Sequence, residues 1–192
     1  MDLRIVRSSE MQEQKWGFGT TKQIYISPIT CDFGSQEFDY RLSIAQIDDE
    51  NAKFSILNDV KRIFFSLMPI SLSVNGEEKS LKEYESLTFS GEDEVVSHQK
   101  GEHFNVMIRN KNFEAAVQHL RLKPGEFITE KIQDHIFYYV YNGSCIVKDF
   151  SVSEVLHKGD LITINPKIGN TRLKILSEKE IELIRVDLFY RY

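Results

Sequence analysis

The sequence predicts an all-β protein, built as a sandwich or a barrel of short strands. Apolar and polar residues alternate at a period of two along most of the chain, which is the pattern of a half-buried strand. Turn dipeptides such as Asn75-Gly76 and Asn142-Gly143 separate these runs at short intervals. Helical periodicity is nearly absent, and residues 57–64 offer the best segment for a short helix.

Three segments carry the alternation most clearly. Residues 38–47 (FDYRLSIAQI) place their large apolar side chains on one face and Arg41 on the other. Residues 104–109 (FNVMIR) repeat this arrangement, with Asn105 opposite the apolar face. Residues 181–189 (IELIRVDLF) end the chain as another alternating strand. Each segment has the length and composition of an ordinary strand.

Composition and charge exclude several classes of protein. The chain has 192 residues, enough for one domain or two small ones. Lys and Arg number 24 against 29 Asp and Glu, giving a net charge of −5. This balance argues against nucleic-acid and anionic-membrane partners, because both need a basic face. The N-terminal residues lack a signal-peptide pattern and no apolar run approaches a membrane span, so we expect a cytoplasmic protein.

The second half of the chain has the strand and turn order of a cupin, a small double-sheet β-barrel. A Pro-Gly turn at residues 124–125 precedes an apolar run at 138–141 and then an Asn-Gly turn. Gly159-Asp160 next introduces an apolar strand that ends in Asn-Pro at 165–166. This last pattern resembles a recurrent cupin feature.

The histidines do not form the pattern of a cupin metal site. The chain has five histidines and no His-x-His pair, which would place two ligands on one face of a strand. Asp134 and His135 are adjacent and therefore point to opposite faces. Arg172 stands where cupins usually place a last histidine after Pro166. A Gly-x-Ser-x-Gly motif is also absent, so we expect no metal and no cofactor, and we assign no catalytic residue.

The candidate ligand-binding residues are polar side chains on strand faces, with aromatic and methionine neighbours. Arg41 is the most informative, because a charged side chain in a core-forming strand must find a partner or bind an anion. An anionic ligand, whose carboxylate suits the planar guanidinium, and an ion pair with Asp39 or Glu37 are both open. The others have structural alternatives: the aromatic and methionine side chains as core, and the serine and asparagine as partners of strand-end backbone. The candidate set is Trp16, Thr20, Thr21, Arg41, Ser43, Phe89, Asn105, Met107 and Arg109.

Five separated motifs resemble those of the HutD/Ves family. They are WGFGTT at 16–21, FDYRLSIA at 38–45 (compared with F-x-W-R-x-S-x-A), FS at 54–55 followed by Arg62, FSGE at 89–92 and FNVM at 104–107. The resemblance implies a bicupin of the RmlC-like type, with two cupin-like antiparallel β-barrels in one chain and no conserved metal site. The first barrel is expected in residues 1–120, which carry the motifs, and the second in residues 121–192.

The resemblance also implies a role in binding a small ligand. Family members are encoded with histidine-utilisation genes or described as stress-induced, and formylglutamate-like metabolites are candidate ligands. We expect the pocket in the N-terminal half, because the motifs and Arg41 lie before residue 110, and a regulatory or metabolite-buffering protein that binds a small anionic metabolite. Two alternatives are open. One is a metal-independent enzyme, with His103 as the titratable group beside Arg41. The other is an oligomer-forming or partner-binding protein, such as a homodimer, with a vestigial pocket.

Overall fold

The computed structural model describes residues 2–131, 135–148, 153–165 and 172–191, and the chain divides into two compact units. The N-terminal unit is Met11–Phe113, and the C-terminal unit combines Met1–Glu10 with Glu114–Tyr192. Strand β1 (Asp2–Val6) therefore belongs to the C-terminal unit. The helices in the described part of the chain are two single 3₁₀ turns, Ser8–Glu10 and Phe33–Ser35.

The N-terminal unit consists of a six-stranded and a four-stranded antiparallel sheet. Its strands are β2 (Gln12–Trp16), β3 (Gly19–Ser27), β4 (Tyr40–Ile47), β5 (Ala52–Lys53), β6 (Lys61–Ser66), β7 (Ile70–Val74), β8 (Glu77–Leu81), β9 (Ser86–Ser90), β10 (Val95–Ser97) and β11 (Gly101–Ile108). The strand orders are β2-β3-β4-β11-β6-β9 and β5-β10-β7-β8. Ile47 and Phe64 of the larger sheet share one buried cluster with Leu72 and Val95 of the smaller sheet, so this core lies between the two sheets.

The C-terminal unit has the same plan, with a five-stranded and a four-stranded sheet. Besides β1, its strands are β12 (Phe113–Leu122), β13 (Phe127–Lys131), β14 (His135–Asn142), β15 (Ser144–Lys148), β16 (Ser153–His157), β17 (Leu161–Asn165), β18 (Arg172–Leu176) and β19 (Ile181–Tyr190). The strand orders are β1-β17-β14-β19-β12 and β13-β18-β15-β16. Tyr138 and Ile162 of the first sheet and Val147 and Ile175 of the second lie in one buried cluster.

The all-β prediction is confirmed, whereas the two closed barrels are not. Among the described strands each sheet is open and ends in two edge strands, so each unit is a two-sheet sandwich. The predicted strands at 38–47, 104–109 and 181–189 correspond to β4, β11 and β19. Asp134 and Pro166, which entered the metal-site reasoning, lie outside the described residues, as does the side chain of Arg172.

The expected short helix at residues 57–64 is wrong. Residues 57–60 form an irregular turn in which Asp59 has a positive φ of 57°, and residues 61–66 are strand β6. The residues IFF at 63–65 are β-branched and aromatic, types that suit a pleated surface. Pairing of β6 with β11 on one side and β9 on the other outweighs the weak local helical pattern.

Residues 1–10 join the C-terminal unit, whereas the sequence-based division placed them in a domain of residues 1–120. β1 pairs with β17 along its whole length. Asp160 then anchors the following turn: its carboxylate accepts hydrogen bonds from Ser8 N at 2.9 Å, His157 N at 3.1 Å and Arg7 Nη1 at 3.0 Å. Burial raises the pKa of this carboxyl, but the three donors outweigh burial and hold the pKa below its usual range. This is the structural role of the cupin-like Gly-Asp pair.

Gly19, in the hairpin that joins β2 to β3, is fixed by a close backbone contact. A Cβ atom at this position would lie 1.9 Å from the carbonyl oxygen of Gln46, whereas a Cβ at Gly17 would have no neighbour within 4 Å. We therefore expect Gly19→Ala to destabilise the N-terminal unit by about 1–3 kcal/mol through overpacking. The matched change Gly17→Ala should stay within about 0.5 kcal/mol of the parent. Urea unfolding of both variants measures the difference, and equal stabilities would contradict this account of Gly19.

In the part of the chain that the structure describes, no helix has the length and apolar character needed to cross a membrane. The cytoplasmic location and the homodimer stay predictions.

Candidate functional site

The N-terminal unit contains a cavity of about 110 Å³. Its walls are formed mainly by one face of β4 and β11, together with β2 and the segments before β4 and β6. Six of the nine predicted ligand-binding residues line this cavity: Trp16, Thr21, Arg41, Ser43, Asn105 and Met107. The alternating pattern of β4 and β11 thus predicted residues that the fold brings together at this cavity from distant parts of the sequence.

The antiparallel register explains why these side chains meet. Ser43 of β4 lies opposite Asn105 of β11, and Arg41 lies opposite Met107. On the other side of β11, Arg62 of β6 also lies opposite Met107. Opposed residues of neighbouring strands project to the same face of a sheet. Two arginines from separate strands are therefore held on either side of one position of β11.

Arg41 lies at the cavity, and no described acidic residue pairs with it. Arg41 is 3% exposed, and its Nε donates a hydrogen bond to Gln23 Oε1 at 2.9 Å. Its Nη1 donates to Ser43 Oγ at 3.5 Å, and its guanidinium carbon lies 4.0 Å from the centre of the Phe33 ring. Burial lowers its pKa to about 10, so the side chain remains charged at neutral pH.

The alternative interpretation of Arg41 was an ion pair with Asp39 or Glu37. No such pair occurs among the described residues. Asp39, which precedes β4, instead accepts a hydrogen bond from Asn110 Nδ2 at 2.8 Å. The positive charge of Arg41 is therefore uncompensated by the described part of the chain.

Arg62 is a second buried cation at the same cavity. It is 6% exposed, its Nη1 donates to the Ser55 carbonyl oxygen at 3.3 Å, and its Nε has no hydrogen-bond partner. Its guanidinium carbon lies 5.1 Å from the ring centre of Phe54 and 5.3 Å from that of Phe89. Burial, and then the charge of Arg41, lower the pKa of Arg62 to about 10. Arg62 is charged at neutral pH and also lacks an ion pair with any described residue.

His103 is held neutral beside these cations. It is 2% exposed, and its ring stacks on Phe64 at a centroid distance of 4.4 Å and on Phe54 at 5.7 Å. Burial, followed by the charge of Arg62, lowers the pKa of His103 to about 3. Its Nδ1 has no hydrogen-bond partner. The cavity therefore carries the charges of two arginines, and none of its described lining residues is Asp or Glu.

Four buried polar atoms of this cavity's residues have no hydrogen-bond partner in the described part of the chain. They are Trp16 Nε1, Arg62 Nε, His103 Nδ1 and Asn105 Oδ1. Buried polar groups in folded proteins nearly always have a partner, because an unsatisfied donor or acceptor is costly. Atoms of this kind around one cavity are available to a polar group that enters it.

Three predicted residues lie outside the cavity. Thr20 pairs with Lys15 and Gln46 and projects to the face opposite Thr21. Phe89 packs against Arg62 from β9. Arg109 lies one residue beyond the end of β11, so the alternation of that strand does not determine where its side chain projects. Its Nη1 donates a hydrogen bond to the carbonyl oxygen of Asn58 at 3.4 Å.

Nine further residues line the cavity but were absent from the predicted set: Gln14, Lys15, Phe33, Ala45, Phe54, Ser55, Leu57, Arg62 and His103. Arg62 could have been found from its motif, FS at 54–55 followed by Arg62, or from strand parity, which puts residues 62, 64 and 66 on one face; the helical interpretation of residues 57–64 excluded that strand. His103 shares the face of Asn105 by the same rule. The loop residues carry no strand periodicity that could have indicated them.

Among the described residues, no three His, Cys, Asp or Glu side chains come together as a possible metal site. The expected absence of a metal and of a cofactor stays a prediction.

Comparisons with known proteins agree with the architecture of both units. The HutD family model matches residues 8–183. Two solved structures match nearly the whole chain. A conserved protein of unknown function from Pseudomonas aeruginosa PAO1, PA5104, is 22% identical with a TM-score of 0.83, covering 98% of this chain and 99% of that one. HutD from Pseudomonas fluorescens SBW25 is 20% identical with a TM-score of 0.74, covering 100% of both chains.

A more distant structure places the fold among the cupins. A cupin 2 conserved barrel domain protein from Leptotrichia buccalis is 7% identical with a TM-score of 0.57, covering 97% of this chain and 96% of that chain. At these identities the solved structures establish a cupin-like fold. Comparison with the curated proteins gave no match.

Proposed function

This chain belongs to the HutD family, and we propose that it is a cupin-like protein whose N-terminal cavity binds a small carboxylate metabolite. A formylglutamate-like compound is the candidate ligand, and the proposed role is regulatory or metabolite-buffering. The proposal needs no metal or cofactor, because the cationic side chains of the cavity provide the recognition.

The observation that carries this proposal is the pair of buried arginines without acidic partners. Burying one unpaired charge costs several kcal/mol, and a fold that buries two on one cavity needs an anion to compensate them. A carboxylate suits this position, since guanidinium groups donate two parallel hydrogen bonds to it. The unpartnered Nε of Arg62 is available for such a bond.

The same residues favour binding over catalysis. A general acid or base works best when its pKa lies near the operating pH, whereas the pKa of His103 is lowered to about 3. The described lining residues also include no cysteine or carboxylate that could act as a nucleophile. A ligand-binding role therefore requires fewer additional assumptions than the enzyme alternative.

A thermal-shift screen over small carboxylates tests the proposal. A ligand at 100 times its Kd should stabilise the protein by about 2.7 kcal/mol, and neutral amides of the same acids should give no shift. The variant Arg41→Lys should weaken the binding about ten- to hundredfold, because an ammonium cannot reproduce the fork of the guanidinium.

Arg109→Lys is the matched control, since Arg109 lies outside the cavity, and it should bind as the parent does. Melting temperature and affinity are measured on the same preparations. Unchanged affinity in Arg41→Lys would remove Arg41 as the anion anchor, and a screen without any carboxylate hit would contradict the proposed function.

A further inference from the structure

We infer that the ligand carries a hydroxyl or N–H donor close to its carboxylate, and that Asn105 accepts a hydrogen bond from it. This inference rests on the proposed function, since it concerns the same cavity. A plain carboxylate brings no donor for the buried acceptor Oδ1 of Asn105.

Asn105 Oδ1 requires a donor that the described residues do not provide. The residue is 3% exposed, and its Oδ1 has no hydrogen-bond partner. A carboxylate oxygen is itself an acceptor and cannot satisfy this oxygen. A ligand with carboxylate groups alone would therefore bring acceptor against acceptor at this position and leave the cost of the unsatisfied atom in place.

The polar groups of the cavity are separated along β11. Both arginines lie in register with Met107, which defines a cationic end of the cavity. Asn105 lies two residues back along the same strand face, and His103 two residues further. Residues two apart on a strand are separated by roughly 6.6 Å. This spacing leaves room for a carboxylate and a donor on one small molecule.

His103 places a further unsatisfied polar atom beside Asn105 on the same strand face. A neutral imidazole has one acceptor nitrogen, and Nδ1 of this buried ring is unpartnered. The ring packs beside both Phe64, at 4.4 Å, and Phe54, at 5.7 Å, and these contacts restrict its rotation. The donor of the ligand therefore meets side chains whose positions are restricted. A ligand without this donor leaves them unsatisfied, so the donor determines which acids bind tightly.

Calorimetric titration of matched acids tests the inference. The probes are unsubstituted mono- and dicarboxylic acids of three to five carbons, with their hydroxy, methoxy and acetamido derivatives at the second and third carbons. Hydroxy or acetamido acids should bind about tenfold or more tightly than their parents. The methoxy acids should gain nothing, because they add an oxygen and bulk without a donor. The hydroxy and acetamido series separate an O–H from an N–H donor.

The variant Asn105→Leu assigns the effect to one residue. It should bring the ratio of the two affinities, donor-bearing acid over parent acid, down to about one. The comparison of ligands on the unaltered protein decides the question even where this variant fails to fold. Parent acids that bind as tightly as all their hydroxy and acetamido derivatives would overturn the inference while leaving the proposed function intact. Absence of binding by every acid would overturn both.

Discussion

Arg62→Met is expected to stabilise the unliganded protein and to abolish carboxylate binding. Arg62 is buried, charged and without an ion pair among the described residues, so its burial opposes folding. A methionine of similar length can pack against Phe54 and Phe89, which already surround the guanidinium. Replacing a buried ionic group by apolar side chains often stabilises a protein by about 1–4 kcal/mol. Loss of one of the two buried guanidinium groups should remove most of the affinity.

Chemical unfolding followed by the fluorescence of Trp16, the chain's one tryptophan, reports on the N-terminal unit. Arg109→Met is the control, because it removes an arginine outside the cavity, and it should change neither stability nor affinity appreciably. A large loss of stability in Arg62→Met, with affinity per folded molecule preserved, would show that Arg62 serves the fold and not the ligand.

Stability should fall as the pH drops below about 6.5, because of His103. Burial lowers its pKa in the folded protein to about 3, whereas an unfolded histidine titrates near 6.5. At pH values between these two, His103 is protonated in the unfolded chain and neutral in the folded protein. The contribution of His103 to the free energy of unfolding is therefore fully present above pH 6.5 and is lost progressively as the pH falls toward 3. From pH 7 to pH 5 this amounts to about 2 kcal/mol.

His103→Phe should remove this part of the pH dependence, since a third aromatic ring can occupy the stack without titrating. The free energy of unfolding is measured from pH 7.5 to pH 4.5 for the parent and the variant. His157→Phe, at an exposed position of the C-terminal unit, is the control and should keep the parent's slope. A parent whose N-terminal unit is equally stable at pH 7 and pH 5 would contradict the buried, neutral state of His103.

The strand alternation predicted more of the site than any motif did. Arg41 and Ser43 share one face of β4, and Asn105 and Met107 share one face of β11, because strand side chains repeat every two residues, and this rule needs no tertiary information. The HutD/Ves resemblance supplied the family and the cupin-like architecture, which the family match and the solved structures bear out. Sequence periodicity could not supply the pairing of strands, which depends on contacts between distant segments.

The remaining features depend on tertiary contacts. Phe33 reaches the cavity from a single 3₁₀ turn and Leu57 from an irregular segment, and no periodic pattern encodes the course of either. The burial of Arg62 and His103 follows from strands β4, β6 and β11 lying side by side. β1 pairs with β17, more than 150 residues away in the sequence, and a local pattern carries no information about such a partner.

The most direct test of the central claim is a crystal structure of this protein with the tightest-binding carboxylate of the screen. We predict that the carboxylate is bound between Arg41 and Arg62, with its oxygens about 2.7–2.9 Å from guanidinium nitrogens. A carboxylate found elsewhere on the molecule, with both arginines still unpaired, would contradict it.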